Sequence, residues 1–498
     1  MTETDSNDLQ EALLPPSTDN APNHQPVLTI TSQAYDEDGN DAPVRIGSIA
    51  SARFNILSTM VGGGCLSLPL AFQQSGNSLM GPLLLVLTGI VTDFCFRLLV
   101  ASAVHLTPPD STRVGKDSYE SITQAAFGPK AYIMSQGLVF FMCFFGAVGY
   151  SVLLRDMMEP LNDAIVNHLH LDSTTWFGKN LTMFAIILIV TPSTTLQTLT
   201  ALKNCGATSM LSLFILGSCI VYRSIQCQVQ SPEPWYSYLT LFPESPHELL
   251  NVIPLYISCF VCHYNILPVH NELQDPTKER VSWWLRSTTW FAIGVYMTMG
   301  FAGSAYGHCT PNQKVVHGNI LLDFDEADPL LMVGRMCLAL TITLAFPMLV
   351  IPGRDIALRN WFETTESESE FIVDLQEPLL QEEDEETPAD DNSSQTSEQN
   401  LSTSFFTRLS ISICIFWTAG VVASLVSGIE VVWDLLGSSL SILLSYLIPC
   451  GSYLIITKDQ EGHFWSKTLC WILIIVFAPL MVISTVNAVE NTFSQSEL

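Results

Sequence analysis

Eleven stretches of this chain are apolar for about 20 residues each, the length that carries a helix across a ~30 Å hydrocarbon layer. They cover residues 47–75, 79–104, 131–155, 177–198, 205–223, 247–270, 284–307, 328–351, 407–428, 431–457 and 465–488. The fourth is the least regular, because "TPSTT" (191–195) interrupts its second half. Composition agrees with a bilayer solvent: 48% of the 498 residues are hydrophobic, 14% are charged, and mean hydropathy is +0.32. The expected class is an all-α integral membrane protein of eleven transmembrane helices. The lipid bilayer is its partner, and no nucleic acid is.

The formal net charge of −28 does not describe this helical body. Nine acids and no Lys or Arg fall in residues 1–44, and fourteen acids with no Lys or Arg fall in 360–405. Both tracts are rich in Ser, Thr, Gln and Pro and cannot bury enough surface to offset chain entropy. The expected organisation is a disordered acidic tail (1–45), helices 1 to 8 (46–359), a disordered acidic loop (360–406), helices 9 to 11 (407–490) and a short tail (491–498). With a cytosolic amino terminus, alternation of sides puts fifteen Lys/Arg inside and five outside. That is the positive-inside bias, so both acidic tracts are cytosolic and the carboxyl terminus is extracytosolic. No apolar stretch precedes Ile46, so no cleavable signal peptide is expected. Cys227 and Cys309 are the two cysteines outside the apolar segments, both in extracytosolic loops. They are a candidate disulfide, since that face is oxidising during secretion.

Three adjacent glycines stand inside the first apolar segment, in "TMVGGGCLSLP" (59–69). Unpaired amides are costly in hydrocarbon, so an interrupted helix is tolerated only where it is buried in protein or lines a cavity. Gly62, Gly63 and Gly64 permit such a break and a close ligand approach; close helix packing is the competing explanation. Amides around Gly64 to Leu66 would suit a carboxylate. Five segments later "CFVCHYNILPVHNEL" (259–273) sets Cys262, His263, Tyr264 and Asn265 in mid-helix before Pro268. Paired interruptions in helices 1 and 6 are what a five-plus-five inverted repeat produces, with the ligand at the midplane between them. Carbonyls freed around Phe260 to Cys262 could take an ammonium group. Candidate substrate contacts are therefore Val61, Gly62, Gly63, Gly64, Cys65 and Leu66, with Phe260, Val261, Cys262 and His263 opposite.

Four motifs give these segments a relative. "FNILSTMVGGGCLSLPLAFQQSG" (54–76), "FVCHYNILPVHNEL" (260–273), "GNILLDF" (318–324) and "DLLGSSLSILLSYLIP" (434–449) occur in this order. Together they resemble the amino acid/auxin permease family, in its sodium-coupled neutral amino acid transporter and vacuolar amino acid transporter branches. The resemblance runs from about residue 47 to 488. It implies the fold of the amino acid-polyamine-organocation superfamily, with helices 1 and 6 unwound around the ligand, and secondary active transport. It also aligns Thr343, anchored by Pro347 and Pro352, with a helix 8 threonine that helps bind sodium. Ser58 falls where sodium-coupled members commonly carry asparagine, and Ala345 replaces a second threonine. Ser58, Thr59 and Thr343 are thus the candidate ion ligands. His263 offers a proton route instead, or it is a structural histidine.

Helices 1, 6 and 8 show no intramembrane Asp or Glu that would pair a cationic side chain, which favours neutral substrates. Asp93 and Arg97 stand four apart on helix 2 and are expected to neutralise each other. No phosphate loop, zinc spacing or nucleophile motif occurs, so the chain reads as a non-enzyme without a cofactor beyond a coupling ion. The function expected is transport of neutral amino acids driven by sodium or protons. The alternative is a transporter-like sensor that signals through its acidic tracts to a cytosolic partner. "DLQEALL" (8–14) and "DLQEPLL" (374–380) resemble dileucine sorting signals, with chance similarity as the alternative. They leave the plasma membrane and the vacuolar or lysosomal membrane open, with sorting or regulatory proteins as possible partners.

Overall fold

The computed structural model describes residues 47–106, 118–170, 175–195, 205–231, 234, 236–310, 314–315, 317–325, 328–376, 393–426, 428–460 and 464–496. All of these lie in one compact unit, Arg45–Leu498. The "DLQEALL" motif and the 1–45 tail fall outside the described residues, as do residues 377–392 of the acidic loop.

The architecture is all-helical: α1 (Ile49–Met60), α2 (Leu68–Ser75), α3 (Met80–Leu106), α4 (Tyr119–Phe127), α5 (Pro129–Met157), α6 (Glu159–His168), α7 (Trp176–Val190), α8 (Cys205–Gln230), α9 (Pro246–Cys259), α10 (His263–Glu272), α11 (Lys278–Gly307), α12 (Pro329–Gln376), α13 (Ser393–Ala423), α14 (Ile429–Leu436), α15 (Ile448–Ile456) and α16 (Phe464–Ser496). Among the described residues, eight stretches are long and apolar enough to cross a membrane: Met80–Leu106, Pro129–Met157, Gly206–Gln230, Pro246–Glu272, Pro329–Leu358, Phe406–Ala423, Ile429–Ile456 and Phe464–Asn491.

The other three expected segments are helical and fall short of that standard for different reasons. The first is split into α1 and α2. The fourth is the short α7, followed by a 3-10 turn over Thr191–Thr195 where "TPSTT" stands. In α11 the apolar run is diluted by Gly, Thr, Ser and Tyr. Two short helices in connecting segments, α4 and α6, are absent from the sequence-based reading. α4 begins at a reciprocal capping box between Ser118 and Ser121. Backbone helix also enters the 360–406 tract from both sides, through Gln376 and again from Ser393, where sequence suggests no order. No Gly or Pro lies between Gly353 and Pro378, and glutamate is a good helix former.

The helices bury one face in a common core and turn the other outward. Phe72, Phe260, Trp284 and Phe346 are fully buried, whereas Trp465, Trp471 and Ile475 of α16 are exposed. α11 packs against α2, α3 and α8, and α12 packs against α5 and α8. The tenth expected segment contains two π-helical stretches, Gly437–Ser441 and Leu443–Leu447, between α14 and α15. At Gly437 an added Cβ would collide with the Pro254 carbonyl, so a glycine is needed for this close contact with α9.

Each end of the bundle is tied. At one, the Gly47 amide donates to the Glu272 carbonyl at 2.8 Å and the Gln274 amide donates back to the Gly47 carbonyl at 2.9 Å. This joins the entrance of α1 to the exit of α10. At the other, the Gln73 amide group donates to the Val315 carbonyl (3.1 Å) and accepts from the Val315 amide (2.6 Å). There too Arg223 pairs with Asp328 at 2.6 Å, and Cys227 and Cys309 form a disulfide with a Cα–Cα distance of 6.1 Å. Asp93 and Arg97 pair on α3 at 2.9 Å, and Arg97 also donates to Ser282 Oγ at 2.6 Å.

Candidate functional site

Both interruptions anticipated from sequence occur, and they face each other. α1 ends at Met60, and Val61 leaves helical geometry with φ −90° and ψ 71°. Gly62 is extended in an unusual way (φ −112°, ψ −140°), and one 3-10 turn over Gly63–Leu66 leads into α2, which has Pro69 in its first turn. In the second break, α9 ends at Cys259, and Phe260, Val261 and Cys262 form a linker before α10 starts at His263. The two segments touch directly: the Cys259 thiol donates to the Gly64 carbonyl at 3.3 Å.

The glycines answer to space rather than to left-handed backbone. An added Cβ at Gly62 would collide with Tyr150 Oη, and one at Gly63 would lie 2.5 Å from Leu153 Cδ2. At Gly64 a Cβ meets Cys259 Sγ at 3.4 Å, an ordinary contact. Two of the three glycines thus let the break press against α5.

Backbone polar groups at the breaks divide into two sets. Some are spent locally: the Cys65 amide donates to Gly62 (3.3 Å), Ser67 to Gly64 (3.2 Å), Phe260 to Ile257 (3.1 Å) and Asn265 to Cys262 (2.9 Å). Others have no hydrogen-bond partner among the described residues. Among these are the amides of Gly62 and Cys262, and the carbonyls of Val61, Phe260 and Val261. All five residues are buried. Buried backbone groups are nearly always paired, so such a set marks a place made for a partner outside the chain. Within the Gly64–Leu66 stretch that sequence singled out, the 3-10 turn uses the Cys65 amide, whereas the Gly64 amide, like that of Gly62, has no partner among the described residues.

Tyr296, fully buried in the middle of α11, joins the two breaks from behind. Its Oη lies 2.7 Å from the Met60 carbonyl and 2.5 Å from the Cys259 carbonyl, the last carbonyls of α1 and α9. Its ring meets Phe260 edge-on at 5.1 Å. Tyr150 of α5 closes another side, with its ring edge-on to Phe346 and Trp433 at 6.1 and 6.4 Å.

The remaining candidates take separate positions. Ser58 Oγ and Thr59 Oγ1 donate to the Asn55 carbonyl at 2.9 and 3.0 Å and also approach Met348 Sδ at 3.5 and 3.9 Å. Thr343 is half-buried on α12, and no hydrogen bond joins it to either hydroxyl among the described residues. His263 is fully buried, with its ring 4.5 Å from Phe96 and 6.2 Å from Tyr446. It thus faces α3 and the second π-helical stretch, and neither ring nitrogen has a partner among the described residues. Cys65 and Leu66 are buried in the core. Among the described residues no group of three or more His, Cys, Asp or Glu could hold a metal ion.

Sequence reasoning missed Tyr150, Tyr296, Cys259 and Met348 as neighbours of the breaks. One signal was available for the tyrosines: a phenol deep in an apolar helix needs a hydrogen-bond partner. Which carbonyl it would find depends on tertiary contact.

Residues 45–490 match the family described as "Transmembrane amino acid transporter protein". A mouse protein named sodium-coupled neutral amino acid transporter 11 is 23% identical over 449 residues, covering 89% of this chain and 85% of its own. Vacuolar amino acid transporter 5 of Schizosaccharomyces pombe is 22% identical over 418 residues, covering 83% of this chain and 86% of its own. Among solved structures, the nucleobase-cation-symport-1 family transporter Mhp1 superposes with a TM-score of 0.55 at 11% identity, over 91% of this chain and 93% of its own. MhsT, crystallised with L-phenylalanine, gives 0.55 at 9% identity, over 90% of this chain and all of its own. These two show the fold. The family and its relatives are transporters rather than enzymes, and the matched region contains both breaks: the chain belongs to the transmembrane amino acid transporter family.

Proposed function

We propose that this protein is a secondary active transporter of neutral amino acids, working by alternating access around the two breaks. The observation that carries this reading is the set of unpartnered buried backbone groups of both signs. A free amino acid is a zwitterion whose carboxylate needs donors and whose ammonium needs acceptors. The amides of Gly62 and Cys262 supply the first need, and the carbonyls of Val61, Phe260 and Val261 supply the second. Backbone recognition of this kind reads the part common to all amino acids and leaves side-chain selection to the surrounding walls.

In this reading the eleven helical segments all cross the membrane, with the amino terminus in the cytosol and helices 1 to 5 related to 6 to 10 by an inverted repeat. Coupling runs through sodium or protons. For sodium, the Ser58 and Thr59 hydroxyls keep lone pairs free after donating to Asn55, but the neighbouring Met348 sulfur is a soft atom beside a hard cation. For protons the candidate is His263, neither of whose ring nitrogens has a partner among the described residues. The disulfide ties the extracytosolic end of α8 to the turn after α11.

Uptake of labelled amino acids into proteoliposomes, with sodium replaced by choline and the pH gradient set independently, tests the proposal. Uptake of leucine- or glutamine-like substrates that collapses on removal of one gradient is the expected result. Saturable binding without flux would favour the sensor reading and overturn this one.

A further inference from the structure

The Tyr296 phenol touches the end of each interrupted helix. One hydroxyl oxygen stands 2.7 Å from the carbonyl that closes α1 and 2.5 Å from the carbonyl that closes α9. A phenol has one proton, so it donates to one carbonyl at a time while both converge on it. Without that proton, two buried carbonyl dipoles would point at each other across a short gap and push apart. The next carbonyls along each chain, Val61 on one side and Phe260 and Val261 on the other, are the unpartnered acceptors of the candidate site. Their separation is therefore set by where the phenol holds Met60 and Cys259.

Tyr296 is well placed to act as a fixed point. It is fully buried, it sits on α11, a 30-residue helix without a break, and its edge contact with Phe260 fixes the ring. α11 packs against α1, α2 and the 3-10 turn of the first break. A shift of either interrupted helix would have to break the phenol contact.

We propose that Tyr296 is a positioning residue that clamps the two interrupted helices at their carbonyl ends, and that the spacing it sets selects a primary α-ammonium group. This rests on the amino acid reading above. A primary ammonium offers three N–H donors to the divided acceptors, and an N-methyl substituent removes one and adds bulk between them. With the clamp intact the site discriminates against N-methylation; with it gone the acceptors spread and the discrimination falls.

The test uses the full chain with Tyr296→Phe, which keeps the ring and its contact with Phe260 and deletes the donor. Tyr296→His, which retains a ring N–H, serves as the partial rescue. Two readouts are needed. In proteoliposomes, KM for a neutral amino acid is expected to rise about tenfold, the scale of one lost hydrogen bond, with kcat changed far less. The KM ratio between the N-methylated and primary forms is expected to fall toward one. In native membranes, labelling of Cys259 and Cys262 by N-ethylmaleimide, followed by peptide mass spectrometry, is expected to be several-fold faster in Tyr296→Phe, with Tyr296→His between it and wild type. Unchanged labelling would overturn the clamp even if KM moved. Faster labelling with an unchanged N-methyl ratio would overturn the selectivity claim and leave only a structural tie. If wild-type protein transports no amino acid while labelling still responds to Tyr296→Phe, the transport reading fails and the clamp stands.

Discussion

Gly63 and Leu153 are packed so closely that a methyl group at position 63 would lie 2.5 Å from Leu153 Cδ2. The first break is thereby held against α5, and the three glycines of "GGG" are unequal. Gly63→Ala and Gly62→Ala should each weaken substrate affinity by about fivefold or more, since overpacking of a tight site costs about 1–3 kcal/mol. Gly64→Ala meets only an ordinary contact and should stay within about threefold of wild type. Substrate binding by the three purified variants, compared at equal expression, checks the order. Equal sensitivity at all three positions would point to a backbone requirement instead of a steric one.

The bridge between Gly47 and the end of α10 is a second steric contact with a consequence. A Cβ at Gly47 would lie 2.7 Å from the Glu272 carbonyl, so Gly47→Val should break both backbone hydrogen bonds there. At about 1 kcal/mol each, their loss should favour conformations in which α1 and α10 separate at that end. A reporter cysteine at buried Ala52 should then react with a maleimide several-fold faster in the Gly47→Val background. An unchanged rate would mean that other contacts hold this end closed.

Non-reducing peptide mapping should recover Cys227 linked to Cys309. The pair closes a loop spanning 82 residues, and removing a native disulfide of this kind costs about 2–5 kcal/mol. Cys227→Ser and Cys309→Ser should therefore lower the thermal midpoint by similar amounts, and the double variant by no more than either. Additive losses would show that the two thiols act separately.

Topology is tested by tags. An epitope inserted at Asp384 should be reached only from the cytosol, and one placed after Leu498 only from outside or from the lumen. Access to both from one side would mean an even number of crossings between them has been miscounted as odd.

Sequence alone determined the solvent and the class. Apolar runs of membrane length cannot be hidden in a water-soluble core, and glycines or polar residues in mid-run leave a helix only the option of breaking where protein covers it. That logic made the interruptions at 61–67 and 260–262 legible, because helix breaking is a local property of the chain. Sequence also singled out Cys227 and Cys309 as a pair, although Cys227 lies in the last turn of α8 and not in a loop. Tertiary structure decided everything that depends on which helix lies beside which. The glycines' role follows from Tyr150 and Leu153, about 90 residues away in the chain, and the Cys65 amide is withdrawn from the site because a 3-10 turn uses it. The same holds for His263, turned toward Phe96 and Tyr446, and for the Ser58 and Thr59 hydroxyls, set beside a methionine. Tyr296 shows the division most plainly. Its sequence position says only that a phenol lies in an apolar helix and must find an acceptor, whereas packing supplies the ends of two other helices at once.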